Sequence, residues 1–233
     1  MTKHPYYNYD KLMSFNAVFN FLVGGRGLGK TFGAKKKAIR DGIKGKAQFI
    51  YLRRYKTELV TARNTFFADI IAENVFPDYD FKIAGNLALA APIKTRNEGK
   101  KRDWITLGYF IALSTSQSQK SVAFPLVKLI IFDEFIIEKG SLQYLPEEAT
   151  VFNNFFSTVD RWKDKTRVLF LANSVSIMNP YFLKYEIIPD SETEIIIKHD
   201  GYVAAHFPEA KDFQLSVNNT RFGKFIAGTD YAD

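Results

Sequence analysis

The 233-residue chain contains no cysteine, which excludes disulfide bonds and thiolate metal sites and is compatible with a reducing compartment. It also lacks an uninterrupted apolar stretch long enough to span a bilayer. The first ten residues do not have the pattern of a signal peptide, and we expect none. Long internal repeats and low-complexity segments are absent as well. What remains is a chain with 46% apolar residues, enough for one sizeable core or one domain plus a tail.

Acidic residues are fewer than basic ones: the chain has 25 Asp and Glu and 32 Lys and Arg, for a net charge of +7. Such a balance suits a polyanionic partner, but many proteins without one are mildly basic. The charge therefore permits a nucleic-acid partner and does not identify one.

The most specific pattern lies at residues 24–31, which fill every position of the phosphate-binding pattern G-x-x-x-x-G-K-[ST]. The apolar run 19–23 before it predicts a buried strand, and residues 31–40 after it predict a helix. Glycines let backbone N–H groups surround phosphate oxygens, and the helix N-terminus adds positive charge. Lys30 would reach the β and γ phosphates, and the Thr31 hydroxyl would bind Mg²⁺. We predict a nucleoside-triphosphate site formed by Gly24, Gly25, Arg26, Gly27, Leu28, Gly29, Lys30 and Thr31.

A second pattern is an apolar strand, residues 126–132, that ends in Asp133-Glu134. Asp133 would hold Mg²⁺ directly or through water, and Glu134 would polarise the attacking water. A carboxylate beside the metal-binding Asp favours hydrolysis, whereas a nucleotide kinase needs no such base. The pair therefore predicts a triphosphate hydrolase.

Asn173 follows a further predicted core strand, residues 166–172. If that strand is parallel to the one ending in Asp133, the Asn173 amide would sense the γ-phosphate or orient the water. The alternative is an ordinary strand-end asparagine that caps the next turn. We favour the sensing role.

Basic residues cluster at two further places. Arg53, Arg54 and Lys56 follow a predicted strand at 47–52, where they would reach phosphates of nucleotide or DNA or form a solvated edge. Thr57 would cap a helix that continues to about residue 74. A predicted antiparallel excursion, residues 78–112, carries a second cluster that is either a solvated face, a subunit contact or a DNA contact. Its members are Lys94, Arg96, Lys100, Lys101 and Arg102.

The remaining segments give weaker signals. Tyr6, Tyr7 and Tyr9 would lie over the nucleotide end of the sheet, as a surface lead-in or stacked on the base. Residues 146–162 predict a helix with Arg161 at its end, and 179–182 begin an irregular segment. Residues 194–207 predict a hairpin at a sheet edge, in which His206 is a strand residue and not a metal ligand.

Taken together, the glycine-rich loop, the segment 52–58, Phe132-Asp133-Glu134 and residues 171–174 carry a resemblance to a known family. From about residue 5 to about residue 210, the chain resembles the DNA encapsidation proteins of small tailed phages with protein-primed genomes. These are the ATPases of the packaging motor. The Leu-Arg-Arg-Tyr-Lys segment, at its distance from the loop, makes the match specific.

The resemblance implies an α/β fold of the additional-strand, catalytic-glutamate class, related to large terminases, with a mostly parallel sheet, helices on both faces and an antiparallel edge. It implies a ring, expected to be a pentamer, that drives double-stranded DNA into a procapsid through its portal. It also places the protein in the host cytoplasm, transiently at the procapsid. No membrane partner is expected.

The resemblance also implies roles for single residues. Arg161 lies at the position of the family's arginine finger, which acts on the neighbouring subunit's site. Lys120 matches a second cation acting in trans, Arg26 matches the loop arginine of terminases, and Lys56 matches a position suspected of gripping DNA. For Arg161, a residue that only complements the helix dipole stays an alternative.

Family members carry a second domain of ribonuclease-H-like fold, without nuclease activity, that helps bind portal, prohead RNA and DNA. We therefore expect residues 1–207 to form the ATPase domain and 208–233 to form an extension or the start of a linker to an absent domain.

Other functions compete with packaging. The first is a helicase or recombination ATPase of the RecA type, which would favour aromatic side chains that stack on single strands. The second is a regulator that binds nucleotide without hydrolysis, or a phosphate-loop kinase. A structural capsid or portal component is disfavoured by the two filled motifs.

Overall fold

The computed structural model describes residues 6–45, 47–96, 102–119, 121–138, 142–173, 178–189 and 193–208. The strands are β1 (Phe19–Gly24), β2 (Gln48–Arg53), β3 (Tyr79–Ala84), β4 (Leu87–Pro92), β5 (Ile105–Ala112), β6 (Val127–Asp133), β7 (Arg167–Asn173), β8 (Ile195–Lys198) and β9 (Val203–His206). The helices are α1 (Asp10–Met13), α2 (Lys30–Gly45), α3 (Lys56–Asn64), α4 (Ala68–Ala72), α5 (Glu148–Asp160) and α6 (Pro180–Tyr185). Residues Ile93–Arg96 and Leu113–Gln119 form 3-10 turns.

Nine strands form one sheet in the order β3-β4-β5-β2-β6-β7-β1-β9-β8. The six strands from β5 to β9 in that order are parallel, as expected for apolar strands covered on both faces. β3 and β4 extend one edge as antiparallel strands, and β8 extends the other. The predicted α/β fold with a mostly parallel sheet is confirmed, as is the hairpin at 194–207.

One strand lies between the two predicted motif strands. β7 pairs with β1 on one side and with β6 on the other. Gly24 is paired with Asn173, and Asp133 is paired with Leu171, so all three strands end at the same level. The loop after β1 and the carboxylates after β6 therefore face each other across the end of β7, at the sheet edge where ligands of α/β proteins bind.

Each face of the sheet has its own apolar core. Helices α2, α3 and α4 cover one face through residues such as Phe32, Leu59 and Ile70. Helices α5 and α6 cover the other face, with Phe152 and Tyr181 in its centre. Within the described part of the chain, no helix is both long enough and apolar enough to cross a membrane.

Two helix predictions were wrong. The segment after β2 forms two helices instead of one, and the first begins at Lys56 because Glu58 accepts the backbone N–H of Tyr55 at 2.9 Å. Tyr55, not Thr57, is therefore the N-cap. The segment predicted to be irregular contains α6. There the Asn179 side chain accepts the N–H groups of residues 181 and 182, a capping signal that the sequence carried.

The antiparallel excursion is present, and its last strand, Ile105–Ala112, is also the first of the parallel strands. Arg102 donates to Asp80 at 2.5 Å and lies over the ring of Trp104, while Lys94 is exposed. Lys100 and Lys101, like the side chain of Arg96, lie outside the described residues. No contact of this cluster with DNA or a subunit is tested.

Candidate functional site

The glycine-rich loop, residues 24–31, connects β1 to α2 and depends on glycine at two points. Gly27 and Gly29 have positive φ angles of 84° and 71°. A Cβ atom on Gly29 would also lie 2.5 Å from Cδ1 of Tyr6. A side chain at position 29 would therefore strain the backbone and displace the N-terminal segment that crosses the loop.

Lys30 begins α2 and turns its ammonium group back toward the loop. Its Nζ donates to the carbonyl oxygens of Gly24 and Gly25, both at 2.8 Å, and to Oδ1 of Asn173 at 3.2 Å. Burial lowers the pKa of Lys30 to about 8, although the carboxylates of Asp133 and Glu138 act to raise it. The ammonium group is thus held in place by weak acceptors, and it would gain from a phosphate.

Thr31 and Asp133 come together although they are 102 residues apart in the sequence. The Thr31 hydroxyl donates to Oδ1 of Asp133 at 3.0 Å, and the Tyr51 hydroxyl donates to Oδ2 at 2.5 Å. Burial, and then the charge of Asp133, raises the pKa of Tyr51 well above its usual value, so Tyr51 remains a donor. Hydroxyl and carboxylate oxygens are ligands that Mg²⁺ prefers, so this pair fits the predicted metal. Among the described residues, no group of three or more His, Cys, Asp or Glu forms a metal site.

Glu134 leaves β6 with a left-handed backbone, at a φ angle of 57°. This geometry turns its side chain toward the end of β2, where Arg53 donates to Oε2 of Glu134 at 2.5 Å. The same guanidinium lies 3.4 Å from Oδ2 of Asp133. Arg53 therefore holds both predicted catalytic carboxylates, and the Glu134 side chain remains 55% exposed.

A carboxylate that the sequence did not single out lies among the cationic and amide groups. Glu138 forms an ion pair with Arg26 and accepts the Asn173 amide at 2.5 Å. The bond from Asn173 is the largest cause that lowers the pKa of Glu138. Arg26, Lys30 and Asn173 therefore surround a negative group, which is the environment that a phosphate requires.

Behind the site, Arg54 and Glu148 form a buried ion pair. The guanidinium donates to both carboxylate oxygens, at 2.7 and 2.9 Å, and to the carbonyl of Phe135 at 2.5 Å. Tyr181 donates to the same carboxylate at 2.8 Å. The two side chains are 1% and 0% exposed. This cluster fixes the turn after β6, which carries Glu134, against the first turn of α5.

The N-terminal tyrosines pack against the glycine-rich loop and the start of α2. Tyr6 stacks on Phe32, and Tyr7 donates its backbone N–H to the Leu28 carbonyl at 3.0 Å. The Tyr9 hydroxyl donates to the Lys30 carbonyl at 2.7 Å. The segment thus lies over the nucleotide end of the sheet, as predicted, and none of these contacts tests base stacking.

His206 is a buried strand residue, in accord with the prediction. Its Nδ1 lies 2.5 Å from the Tyr7 hydroxyl, and its Nε2 lies 2.7 Å from Oε1 of Glu194. Burial lowers its pKa, although the bond to Glu194 acts to raise it. These bonds connect the N-terminal segment to β9, the strand between β1 and the edge strand β8.

Three predicted residues are not in this cluster. Arg161 lies at the far end of α5, where it is exposed and donates to the Val122 carbonyl at 3.3 Å. Lys56 is exposed at the start of α3. Lys120 lies outside the described residues.

For the first basic cluster, the structure excludes one of the two alternatives at Arg53 and Arg54 and leaves a phosphate contact untested. Arg53 and Arg54 are buried and paired with carboxylates, so they do not form a solvated edge. A possible signal was two arginines placed directly after an apolar strand, because arginine is buried only when it is paired. The roles of Tyr51, Glu138 and Glu148 had no local signal, since their partners lie far away in the sequence.

These features define an α/β fold of the nucleotide-hydrolase class, with cationic and amide groups gathered at the ends of its central strands. The chain belongs to the Podovirus DNA encapsidation protein (Gp16) family, whose model matches residues 1–233. The DNA packaging protein of Bacillus phage phi29 is 37% identical over 233 residues, which are all of this chain and 65% of that protein. The chain therefore spans less than two thirds of that relative.

Solved structures agree with this assignment. The crystal structure of the N-terminal domain of the phi29 DNA packaging ATPase has a TM-score of 0.75 and 36% identity, and the match covers 89% of this chain and 98% of that one. The structure of the bacteriophage Phi-29 viral genome packaging motor assembly has a TM-score of 0.74 and 38% identity. That match covers 97% of this chain and 64% of the other. The large terminase ATPase domain of Thermus phage P74-26 shares the fold, with a TM-score of 0.58 at 14% identity, over 96% and 91%.

Proposed function

We propose that this chain hydrolyses ATP, with Mg²⁺, to move double-stranded DNA in a phage packaging motor. The observation that carries the proposal is the 3.0 Å contact between Thr31 and Asp133 beside the Lys30 ammonium group. Two segments 102 residues apart thereby supply the hydroxyl, carboxylate and cation that a triphosphate site needs. Membership in a DNA packaging family favours this reading over a helicase or a regulator.

In this proposal the loop amides and Lys30 neutralise the β and γ phosphates. Thr31 and Asp133 would hold Mg²⁺, which would supply positive charge to offset that of the phosphates. Arg26 and Asn173 exchange the Glu138 carboxylate for the γ-phosphate. Each exchange replaces a contact within the chain by a contact of greater charge, so the nucleotide gains affinity from groups that are already positioned.

Glu134 acts as the residue that orients and deprotonates water, and its bond to Arg53 competes with this step. While Arg53 donates to Oε2, the carboxylate has one oxygen less for a water proton. A shift of Arg53 away from Glu134 therefore activates the site. Hydrolysis would then depend on the position of the chain at residues 53–56, which includes the exposed Lys56.

We also propose that the site is completed by a neighbouring copy in a ring. Within one chain, α5 separates Arg161 from the site by 13 residues, a span of about 20 Å. Arg161 can therefore act only on another copy, where it would stabilise charge on the transferred phosphoryl group. The pentameric state, the contacts with portal and prohead RNA, and the role of Lys120 are carried over from the family resemblance as parts of the proposal.

Glu134→Gln tests hydrolysis. The variant should bind nucleotide as the parent does and lose at least about a hundredfold in phosphate release, as expected for removal of a general base. Glu186→Gln, at an exposed position after α6, serves as the matched control. Phosphate release that survives in Glu134→Gln would contradict the assignment.

Mixing two inactive variants tests the shared site. Lys30→Ala removes the loop cation, and Arg161→Ala leaves a copy with its own loop intact. A mixture should regain activity because each copy supplies what the other lacks. If mixing restores nothing while light scattering shows assembly, the role in trans must be dropped.

A further inference from the structure

The turn after α5 has an unusual backbone. Arg161, Trp162 and Asp164 have positive φ angles of 53°, 58° and 47°. Left-handed conformations are uncommon outside glycine and cost of order 1–3 kcal/mol each, so they persist only where the surroundings impose them. Three such residues within a stretch of four therefore require a strong constraint on the backbone of this turn.

Asp160 supplies that constraint. Its buried carboxylate accepts the backbone N–H groups of residues 163, 164, 165 and 166, at 2.9 to 3.0 Å. Burial acts to raise the pKa of Asp160, but the four donors bring it below its usual value. The turn is consequently a fixed structure at the end of the helix.

This fixed turn holds a tryptophan in water. The Trp162 side chain is 92% exposed. The neighbouring segment 122–126 is tied to the turn, since Arg161 donates to the Val122 carbonyl and Lys165 donates to the Phe124 carbonyl at 2.7 Å. That segment exposes two further apolar side chains. We call Val122, Leu126 and Trp162 the Trp162 patch.

The composition of the patch favours a protein partner. Tryptophan and arginine are the residues most enriched at the centres of protein interfaces, and here they share one turn with apolar neighbours. A nucleic-acid contact through phosphates would need only the cations, and the strained presentation of an indole would contribute nothing to it.

The position of the patch indicates which protein binds to it. Glu148 begins α5 beside Arg54, at the sheet edge that carries the candidate site, and Asp160 ends the helix near the start of β7. The patch and the site are therefore at opposite ends of the sheet. Contact between two different surfaces of identical chains is head-to-tail and generates rings or helices. The cations Arg161 and Lys163 complement the partly exposed carboxylates of Glu134 and Glu138 at the other end.

We propose that the Trp162 patch is the apolar anchor with which one copy of this chain docks beside the nucleotide site of the next copy. The anchor fixes where the neighbouring Arg161 guanidinium lies. This inference rests on the proposed function, because it assigns the partner of the same site.

The chain has two tryptophans, so a spectroscopic test is direct. Trp104→Phe leaves Trp162 as the single emitter. The full chain is concentrated with Mg²⁺ and a non-hydrolysable ATP analogue, while light scattering follows association. Trp162 emission should move to shorter wavelength, and acrylamide should quench it several-fold less, as association proceeds. An unchanged emission during association, or no association at the highest soluble concentration, would overturn the proposal.

Two further arms separate the alternatives. In the chain that retains Trp104, Trp162→Ala should raise the concentration for half-maximal association by about tenfold or more. Leu183→Ala, an exposed apolar residue on α6, should leave it within about twofold. A spectral shift produced by duplex DNA or RNA without protein association would assign the patch to nucleic acid and overturn the proposal. If Trp162 stays exposed to solvent in the assembly while phosphate release still requires Glu134, the anchor is rejected. The proposed function would then stand without it.

Discussion

Replacing Arg54 by methionine should destabilise the fold by about 3–5 kcal/mol, because the change leaves the Glu148 carboxylate charged and buried with no cation beside it. The remaining donors to that carboxylate are the Tyr181 hydroxyl and the backbone N–H of Leu145, both at 2.8 Å. The Phe135 carbonyl loses its donor as well. For a domain of about 200 residues, this corresponds to a decrease in melting temperature of roughly 6–20 °C.

Urea unfolding followed by circular dichroism measures the change and permits a double-mutant cycle. Glu148→Leu alone should cost about as much as Arg54→Met, since it isolates the other charge. The double variant should cost about as much as either single variant, and therefore at least about 3 kcal/mol less than their sum. Lys37→Met removes a half-exposed i,i+4 pair with Asp41 and should cost at most about 0.5 kcal/mol. Additive effects at positions 54 and 148 would refute the reasoning.

Three other outcomes follow from the site. Nucleotide affinity should decrease as pH rises through about 8, since the protonated Lys30 binds phosphate and only about a tenth of it remains at pH 9. Lys30→Arg should flatten this profile, and an equally steep profile would assign it to another group. Glu138→Gln should raise nucleotide affinity several-fold in fluorescence titrations, because it removes the competing anion; weaker binding would contradict that role. Lys56→Ala should reduce the salt dependence of duplex DNA binding by about one unit of slope, whereas Lys36→Ala, also exposed, should not; equal slopes would remove Lys56 from the DNA contact.

Much of the fold was predictable because its signals are local. The strand, glycine-rich loop and helix at residues 19–40 are consecutive, and each segment has the composition of its own element. The same holds for the apolar strand that ends in Asp133-Glu134. Once both loops are assigned to one sheet edge, their proximity follows from the topology of parallel strands.

The contacts that organise the site were not predictable from such patterns. Arg53 and Arg54 are adjacent in the sequence, yet one faces Glu134 and the other faces Glu148. Their directions depend on Glu134 after β6 and Glu148 at the start of α5, which are 81 and 94 residues away. Hydrophobic periodicity predicts which face of a helix or strand is buried. It does not predict which charged side chains form ion pairs.

The glycine-rich loop illustrates a further limit. Its pattern predicts the backbone shape, and the structure adds that Tyr6, Tyr7 and Tyr9 support this shape from above. Nothing in the sequence of this polar N-terminal segment indicates the partners of its three tyrosines. The contact of Tyr7, for example, requires His206 on β9, which is 199 residues away.

The central claim is that the loop at residues 24–31 and the carboxylates after β6 bind one triphosphate between them. A crystal structure of the chain with Mg²⁺ and a non-hydrolysable ATP analogue tests this claim most directly. The Lys30 ammonium should leave the Gly24 and Gly25 carbonyls for phosphate oxygens, and the Arg53–Glu134 bond should lengthen or break. An analogue bound elsewhere, with those contacts of Lys30 and Arg53 unchanged, would contradict the account.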